Sequence, residues 1–475
     1  QKLDMSMEEV NKYIIDKDAK IIDSLRTSKY VDLSCGTGHF IVAFIDYIKE
    51  FIEDKRILKE ILLNIHGFDI DFIALQIIKT ELIIYSEDIN FIRAICSNFI
   101  LGNTLINLEE KNYLEKLKLV SEGFIYHPRL GINQEKYDGK FDLILGNPPW
   151  EKIRFEDKNF FANYCPRIAK INKKDERKKE IAKLQESNPG LKEYYDDFII
   201  QMEECKKQIK SNIRLTHSAN GELNTYSLFT ELAVRFLNNK GCIALVVKSG
   251  LITTPANSKI FNYLLQNKLI VSIDDFINKS KIFPIDSRER FTVIILSKYF
   301  EENFSLRMML QNIEQINSEN YILVNKRMLN TVNPINNMIP NIASTEEMVI
   351  LTEFYNKYDV FEKEFPECRF GRLVHLTSHA ESIYKGPQES TLPIYEGKFI
   401  EIYDNKFSTF EGVGEEERYQ SKASSRPMTD EEKKNPIIIP ESRYFIEQDK
   451  WLEITKNYKD KYSIVWRSLT STTNR

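Results

Sequence analysis

The chain has 475 residues, 42% of them apolar and 29% charged, the composition of a folded globular protein of two or three domains and not of a disordered or fibrous one. Its net charge of −4 excludes a uniformly basic nucleic-acid binder, so any contact with a polyanion is a local patch. Six cysteines without a C-x-x-C pair fit neither a disulfide framework nor a zinc site, and the absence of a long apolar run or a signal-peptide pattern leaves a reducing cytoplasm as the expected setting.

In chain order, the apolar spacing predicts a helix over residues 8–25, then a short buried strand over 30–33 that runs into Cys35-Gly36-Thr37-Gly38. Helical spacing follows over 40–63, a strand over 64–69, a helix reaching residue 85, and a strand over 99–101. Residues 141–146 form an apolar run that ends at Asn147. Strands that alternate with helices imply a mainly parallel sheet covered on both faces. Between Trp150 and Asn224 the charged helical pattern breaks at Asn188-Pro189-Gly190, which predicts a helical hairpin. Its second arm places Tyr194, Phe198, Ile199, Met202 and Ile209 near one face. Residues 242–247 supply a fifth strand, and 272–276 and 291–296 are two more, expected to pair antiparallel at the end of the sheet. Beyond about residue 330 the alternation stops and prolines become frequent, so a domain boundary is placed between 330 and 365. The start at Gln1 rather than Met and an end at Arg475 without helix-stop chemistry read as a fragment of something longer.

Four motifs carry chemistry. Asp32-Leu33-Ser34-Cys35-Gly36-Thr37-Gly38-His39-Phe40 is a strand followed by a glycine turn, where the backbone can approach a nucleoside ligand without an intervening Cβ. Asp69 ends the second strand, the place from which Rossmann-like sheets hold ribose hydroxyls; its bland alternative is to cap the next helix, which Asp71 can do instead. Gly102-Asn103 could read an adenine edge, although alone it is a turn. The decisive motif is Asn147-Pro148-Pro149-Trp150 at the tip of a buried strand. The Asn147 side-chain oxygen and the Pro148 carbonyl can each accept from a substrate NH₂, leaving the nitrogen lone pair free to attack an electrophilic methyl group, while Trp150 offers a face for stacking. In isolation this tetrapeptide could be an Asx-Pro turn with a core tryptophan.

In this order the residues resemble the gamma-class adenine-N6 DNA methyltransferases, in particular the large type IIG-like methylases of restriction-modification and phage-defence systems. The resemblance spans roughly residues 28–410, including Asn224-Thr225-Tyr226-Ser227-Leu228-Phe229 and residues 241–247 and 392–400. It implies an α/β fold with a Rossmann-like S-adenosylmethionine-dependent methyltransferase sheet, mostly parallel with a terminal antiparallel strand. A helical segment over 1–27, a methyltransferase domain over 28–330 with an insertion at 151–223, and an α+β target-recognition region over 331–475 complete the expected organisation. Asp32, Ser34, Gly36, Gly38 and Phe40 would shape the methionine pocket, Asp69 would hold the ribose, and Ile70 and Asn103 would contact the adenine of the cofactor. Asn147, Pro148, Pro149 and Trp150 would be catalytic, and Ile282-Phe283-Pro284 matches a late loop whose aromatic ring makes Phe283 a partner for Trp150 against a flipped base. No metal is implied; the partners implied are double-stranded DNA and restriction or defence-system subunits, with no membrane. Leu33, Asn103 and Lys248 depart from the usual proline, aspartate and proline, and no Thr-Pro cofactor-capping motif is recognisable before Asp32.

Several alternatives stand beside this reading. Cytosine-C5 chemistry lacks its Pro-Cys pair, whereas cytosine-N4 methylation, protein-glutamine methylation, a non-catalytic DNA-binding module, and the methylase part of a bifunctional restriction enzyme stay open. Glu396-Gly397-Lys398 has the spacing of a nuclease acid-lysine pair, and His375 and His379 have metal-like spacing, both expected to be structural. Basic stretches at Lys170, Lys173-Lys174 and Arg177-Lys178-Lys179 are candidate phosphate contacts, and Arg426, Arg443 and Arg467 candidate base readers.

Overall fold

Tyr30 and Val31 are adjacent and both buried, yet they belong to different apolar clusters, because successive strand residues point to opposite faces of a sheet. Tyr30 packs with Ile41, Ile45, Leu75 and Ile78 of two helices, His39–Lys49 and Phe72–Ser86. Val31 packs with Phe68, Ile144, Leu228 and Leu232 on the other side. A sheet covered on both faces follows from this one dipeptide. The computed structural model that shows it describes residues 20–108, 130–299, 302–317, 320–366, 371–420, 423–458 and 465. The chain divides into two units, Gln1–Asp359 and Val360–Arg475.

In the first unit the strands are β1 (Tyr30–Asp32), β2 (Ile65–Asp69), β3 (Phe99–Leu101), β4 (Asn103–Asn107), β5 (Gly131–Ile132), β6 (Phe141–Gly146), β7 (Leu237–Lys248), β8 (Ile270–Ile277), β9 (Arg290–Ser297), β10 (Phe304–Leu310) and β11 (Ile322–Val324). Nine of them form one sheet in the order β11-β10-β8-β9-β7-β6-β1-β2-β3, and β4 and β5 pair separately. From β3 to β7 every pairing is parallel, whereas β9 runs antiparallel to both β7 and β8. The arrangement is Rossmann-like, a mostly parallel sheet with β9 reversed between β7 and β8.

Two sequence expectations need correction. The β8–β9 pair does not end the sheet, since β10 adds parallel to β8 and β11 antiparallel to β10. Buried and half-buried residues alternate along β10, with Arg307 on the half-buried face paired to Asp274 at 2.9 Å. Strand β7 begins at Leu237 rather than 242, because its first residues, Asn238-Asn239-Lys240-Gly241, are polar and pair through an irregular register with β6. The expected helix over 8–25 lies partly outside the described residues, which are helical from 20 to 27.

The insertion is helical, as expected, with Lys174–Ser187 and Pro189–Ser211 meeting at Asn188, whose side chain caps the second helix through the Leu191 amide at 3.2 Å. Phe198 and Ile199 pack in its small core, but Tyr195 is the buried tyrosine there and Tyr194 is exposed. The helix Thr345–Lys357 packs on Lys326–Val332 within the first unit. No helix among the described residues is long and apolar enough to cross a membrane.

The second unit holds a three-stranded antiparallel sheet of β12 (Ile383–Lys385), β16 (Tyr444–Glu447) and β13 (Thr391–Pro393), and a two-stranded pair, β14 (Ser408–Thr409) with β15 (Arg426–Pro427). Its small core is Phe399, Phe410 and Ala423.

Gly38 shows how tightly the turn after β1 is set. Its φ is +89°, and a Cβ there would lie 2.1 Å from Ile78. Gly38→Ala is expected to lower the unfolding free energy by about 1–3 kcal/mol in a urea titration. Gly139→Ala, with φ +64° but open space around the added carbon, is expected to cost less and isolates the collision from the backbone strain.

Candidate active site

Because β1, β2, β6, β7 and β8 share one direction, their carboxyl ends lie along one edge, and the order reverses between β1 and β6, where open α/β sheets form a crevice. The turn after β1 is built from both sides of that crevice. The Cys35 amide donates to the Phe68 carbonyl of β2 at 2.9 Å, and the Gly38 amide to the Cys35 carbonyl at 2.8 Å. Gly36, at φ +52° with nothing within 4 Å of a built Cβ, donates its amide to Asp69 Oδ2 at 2.7 Å. The other Asp69 oxygen accepts from the Asp71 amide at 2.8 Å. Asp71 caps the next helix through the Ile73 and Ala74 amides, so Asp69 has no capping duty.

Asp32 is 2% exposed and sits between β1 and β6. One oxygen accepts from the Ser34 amide at 2.9 Å. Burial, reinforced by the charge of Asp69, pushes its carboxyl up to about 7. A Cβ on Gly146 would lie 2.7 Å from Asp32 Oδ1; the glycine that immediately precedes Asn147 is there to admit this acid. Ile70 is exposed beyond β2, Phe40 lies in the first turn of His39–Lys49, and Asn103 turns its Oδ1 to the Leu105 amide at 3.1 Å.

At the end of β6, Asn147 Oδ1 is fully buried and accepts no hydrogen bond among the described residues. Leaving a buried acceptor unpaired costs about 1–3 kcal/mol, which a donor on a ligand would recover. The Pro148 carbonyl likewise receives no hydrogen bond among the described residues. The Pro149 carbonyl, by contrast, is taken by the Thr225 hydroxyl, which also donates to the Glu151 carbonyl at 2.9 Å. Thr225 therefore clamps the exit of the motif, and the Ile153 amide donates to Leu223 to continue the latch. The Trp150 indole donates to the Val246 carbonyl at 3.3 Å and stacks on Phe291 at 6.0 Å. Phe283 meets Trp150 at 5.4 Å with the rings at 73°, so the expected aromatic pair is assembled edge to face and is not a parallel slot.

The sequence reading missed Gly146 and Thr225. Each had a signal, the first as a glycine beside Asn147 and the second inside the conspicuous residues 224–229.

Other expected contacts fall away. Arg443 is buried in a bidentate pair with Glu396 at 2.9 and 3.0 Å, between the rings of Phe410 and Tyr444, and cannot read a base. The same pair removes Glu396 from any nuclease role, and Lys398 donates to the Ala423 carbonyl. Arg426 is held by Glu432 at 2.7 Å and Glu411 at 3.0 Å, while Arg467 lies outside the described residues. Arg177 is buried against the Ile171 carbonyl and Asp157, which leaves Lys170, Lys173, Lys174, Lys178 and Lys179 as the candidate phosphate contacts of that stretch. His375 and His379 bind local backbone amides through Nδ1, in a turn rather than a helix. Among the described residues no group of His, Cys, Asp and Glu is arranged to hold a metal ion.

The Eco57I restriction-modification methylase family model matches residues 63–213 and 199–283, a span that includes Asn147-Pro148-Pro149-Trp150 and Phe283. The type II restriction enzyme and methyltransferase RM.Eco57I of Escherichia coli is 21% identical over 311 residues, 58% of this chain and 25% of that protein. The chain is a relative of the restriction-modification methylases. It spans a quarter of the length of that curated relative. Among solved structures, a type I restriction-modification system superimposes with a TM-score of 0.39 at 13% identity, covering 74% of this chain and 63% of the other. The type I methyltransferase subunit from Streptococcus thermophilus gives 0.31 at 13% identity, covering 74% and 54%. The matched segment begins at residue 63, after the glycine turn.

The raised Asp32 carboxyl has a stability consequence. Its folded value of about 7 lies above an unfolded value of ~3.9, so between them the native state binds the extra proton and stability falls as pH rises. Asp32→Asn, which mimics the protonated acid, is expected to be more stable than the parent at pH 8 and no more stable at pH 4, measured by urea unfolding at both.

Proposed function

We propose that this chain is the catalytic core of a site-specific DNA adenine-N6 methyltransferase of a restriction-modification or phage-defence system, working in the cytoplasm on double-stranded DNA. The observation that carries the reading is the buried, unpaired Asn147 Oδ1 at the carboxyl end of β6. An exocyclic NH₂ has two N–H donors, and Asn147 Oδ1 with the Pro148 carbonyl offers two acceptors on consecutive residues. Gripped this way, the nitrogen loses conjugation with its ring and turns its lone pair outward.

S-adenosylmethionine fits the neighbouring crevice. Asp32 and Asp69 end adjacent strands and suit an ammonium group and a ribose diol, and Gly36 opens onto space at the turn between them. When bound, that cofactor supplies a methyl group on a positively charged sulfur. The chain's own work is then to place the amine in line and to exclude water. Asn147 and the Pro148 carbonyl would hold the amino nitrogen that accepts this methyl group and gives up one proton. A base inside a duplex cannot reach Asn147, so the nucleotide leaves the stack at a cost of a few kcal/mol. Trp150, fixed by Val246 and Phe291, provides a face worth ~1–3 kcal/mol of stacking.

The choice of DNA rests on the relationship to RM.Eco57I, whose name couples restriction and methyltransferase activities. The same relationship supports restriction or defence-system subunits as partners, and a nuclease elsewhere in the system.

The test is to map methylated bases in unmodified DNA incubated with the protein and S-adenosylmethionine. N6-methyladenine at one short sequence is expected. Asn147→Ala is expected to lower turnover by about 10²–10³-fold while cofactor affinity, measured by calorimetry, stays within about twofold. Full turnover in the variant, or methyl groups on cytosine, would sink the reading.

A further inference from the structure

The loop that carries Phe283 has little to hold it. No residue from 281 to 289 is buried, and only Ile282 and Phe283 reach an apolar cluster, that of Phe276, Phe291 and Leu310. Burial is the usual way a segment is fixed, and here it is scarce. One side chain compensates. Asn278, fully buried just beyond the carboxyl end of β8, accepts from the Phe283 amide at 3.0 Å and donates to the Phe283 carbonyl at 2.9 Å and the Ile285 carbonyl at 3.2 Å. Its own amide donates to the Glu289 carbonyl at 3.0 Å, across the base of the loop. The carboxamide thus grips both polar groups of Phe283 at once, as a paired strand residue would.

Phe283 in turn touches Trp150 at 5.4 Å and Phe291 at 4.9 Å, both edge to face. Trp150 is set by its 3.3 Å bond to Val246, by these rings and by the main core it packs against. The position of the Phe283 backbone bears on how much of its remaining face is open. We infer that Asn278 is a positioning residue for the base pocket: its carboxamide holds Phe283 against Trp150 and so sets the aromatic wall on which the target base rests. The pocket's substrate rests on the reading given above, whereas the coupling of Asn278 to Trp150 does not.

The experiment separates the two. In protein carrying Trp451→Phe and Trp466→Phe, Trp150 is the sole tryptophan. Asn278→Asp, which keeps the acceptor and the size but loses the bonds donated by the carboxamide nitrogen, and Asn278→Ala are each compared with the parent for acrylamide quenching of Trp150. Each is also made in a Phe283→Ala background. Quenching is expected to rise in both variants and to be unaffected by either once Phe283 is gone. On unmethylated DNA, kcat is expected to fall about tenfold or more, with KM for the cofactor unchanged, and again with no further loss in the Phe283→Ala background. Unchanged quenching, or equal losses with and without Phe283, would overturn the inference. Altered quenching in a parent that methylates no DNA would uphold the positioning role and sink the functional reading instead.

Discussion

Parallel pairing of β1 with β6, Tyr30 opposite Leu143 and Val31 opposite Ile144, brings the two halves of the site together. The glycine turn leaves β1 and the Asn147 motif leaves β6 at the same edge only because both strands run the same way. The pairing also sets an acid, Asp32, against Gly146. A single added carbon there would meet the Asp32 carboxylate and force it to shift.

Around that junction the protein is careful with buried polarity. Glu231 is fully buried but accepts from the His217 and Ser218 amides, the Ser218 hydroxyl and His217 Nδ1. Asp275 is matched by Arg290, Ser249 and Thr292, and Asn278 by the Phe283 loop. Such groups cost little once paired. Asn147 Oδ1 is one of five buried side-chain atoms left unpaired among the described residues, and the one at the tip of β6. On the proposed reading the substrate amino group supplies its missing donor.

The legible parts of the fold were those written in local pattern. Strands at Phe99–Leu101 and Phe141–Gly146 were read to the residue, and the break at Asn188-Pro189 was read from turn chemistry. What failed was the fate of charged residues. Arg443 and Arg177 looked like DNA contacts. Each is instead neutralised by a partner distant in sequence, and the pairing of charges is a matter of where elements pack.

By itself the sequence determined the α/β alternation, the glycine turn, and the presence of Asn147-Pro148-Pro149-Trp150 at a strand end, because these depend on periodicities and backbone restrictions that act over a few residues. Only the tertiary structure decided that Asp32 lies against Gly146, that Thr225 clamps Pro149, and that Asn278 holds Phe283 against Trp150. Those are contacts between elements far apart in the chain, set by sheet order and loop path, and no local pattern encodes them.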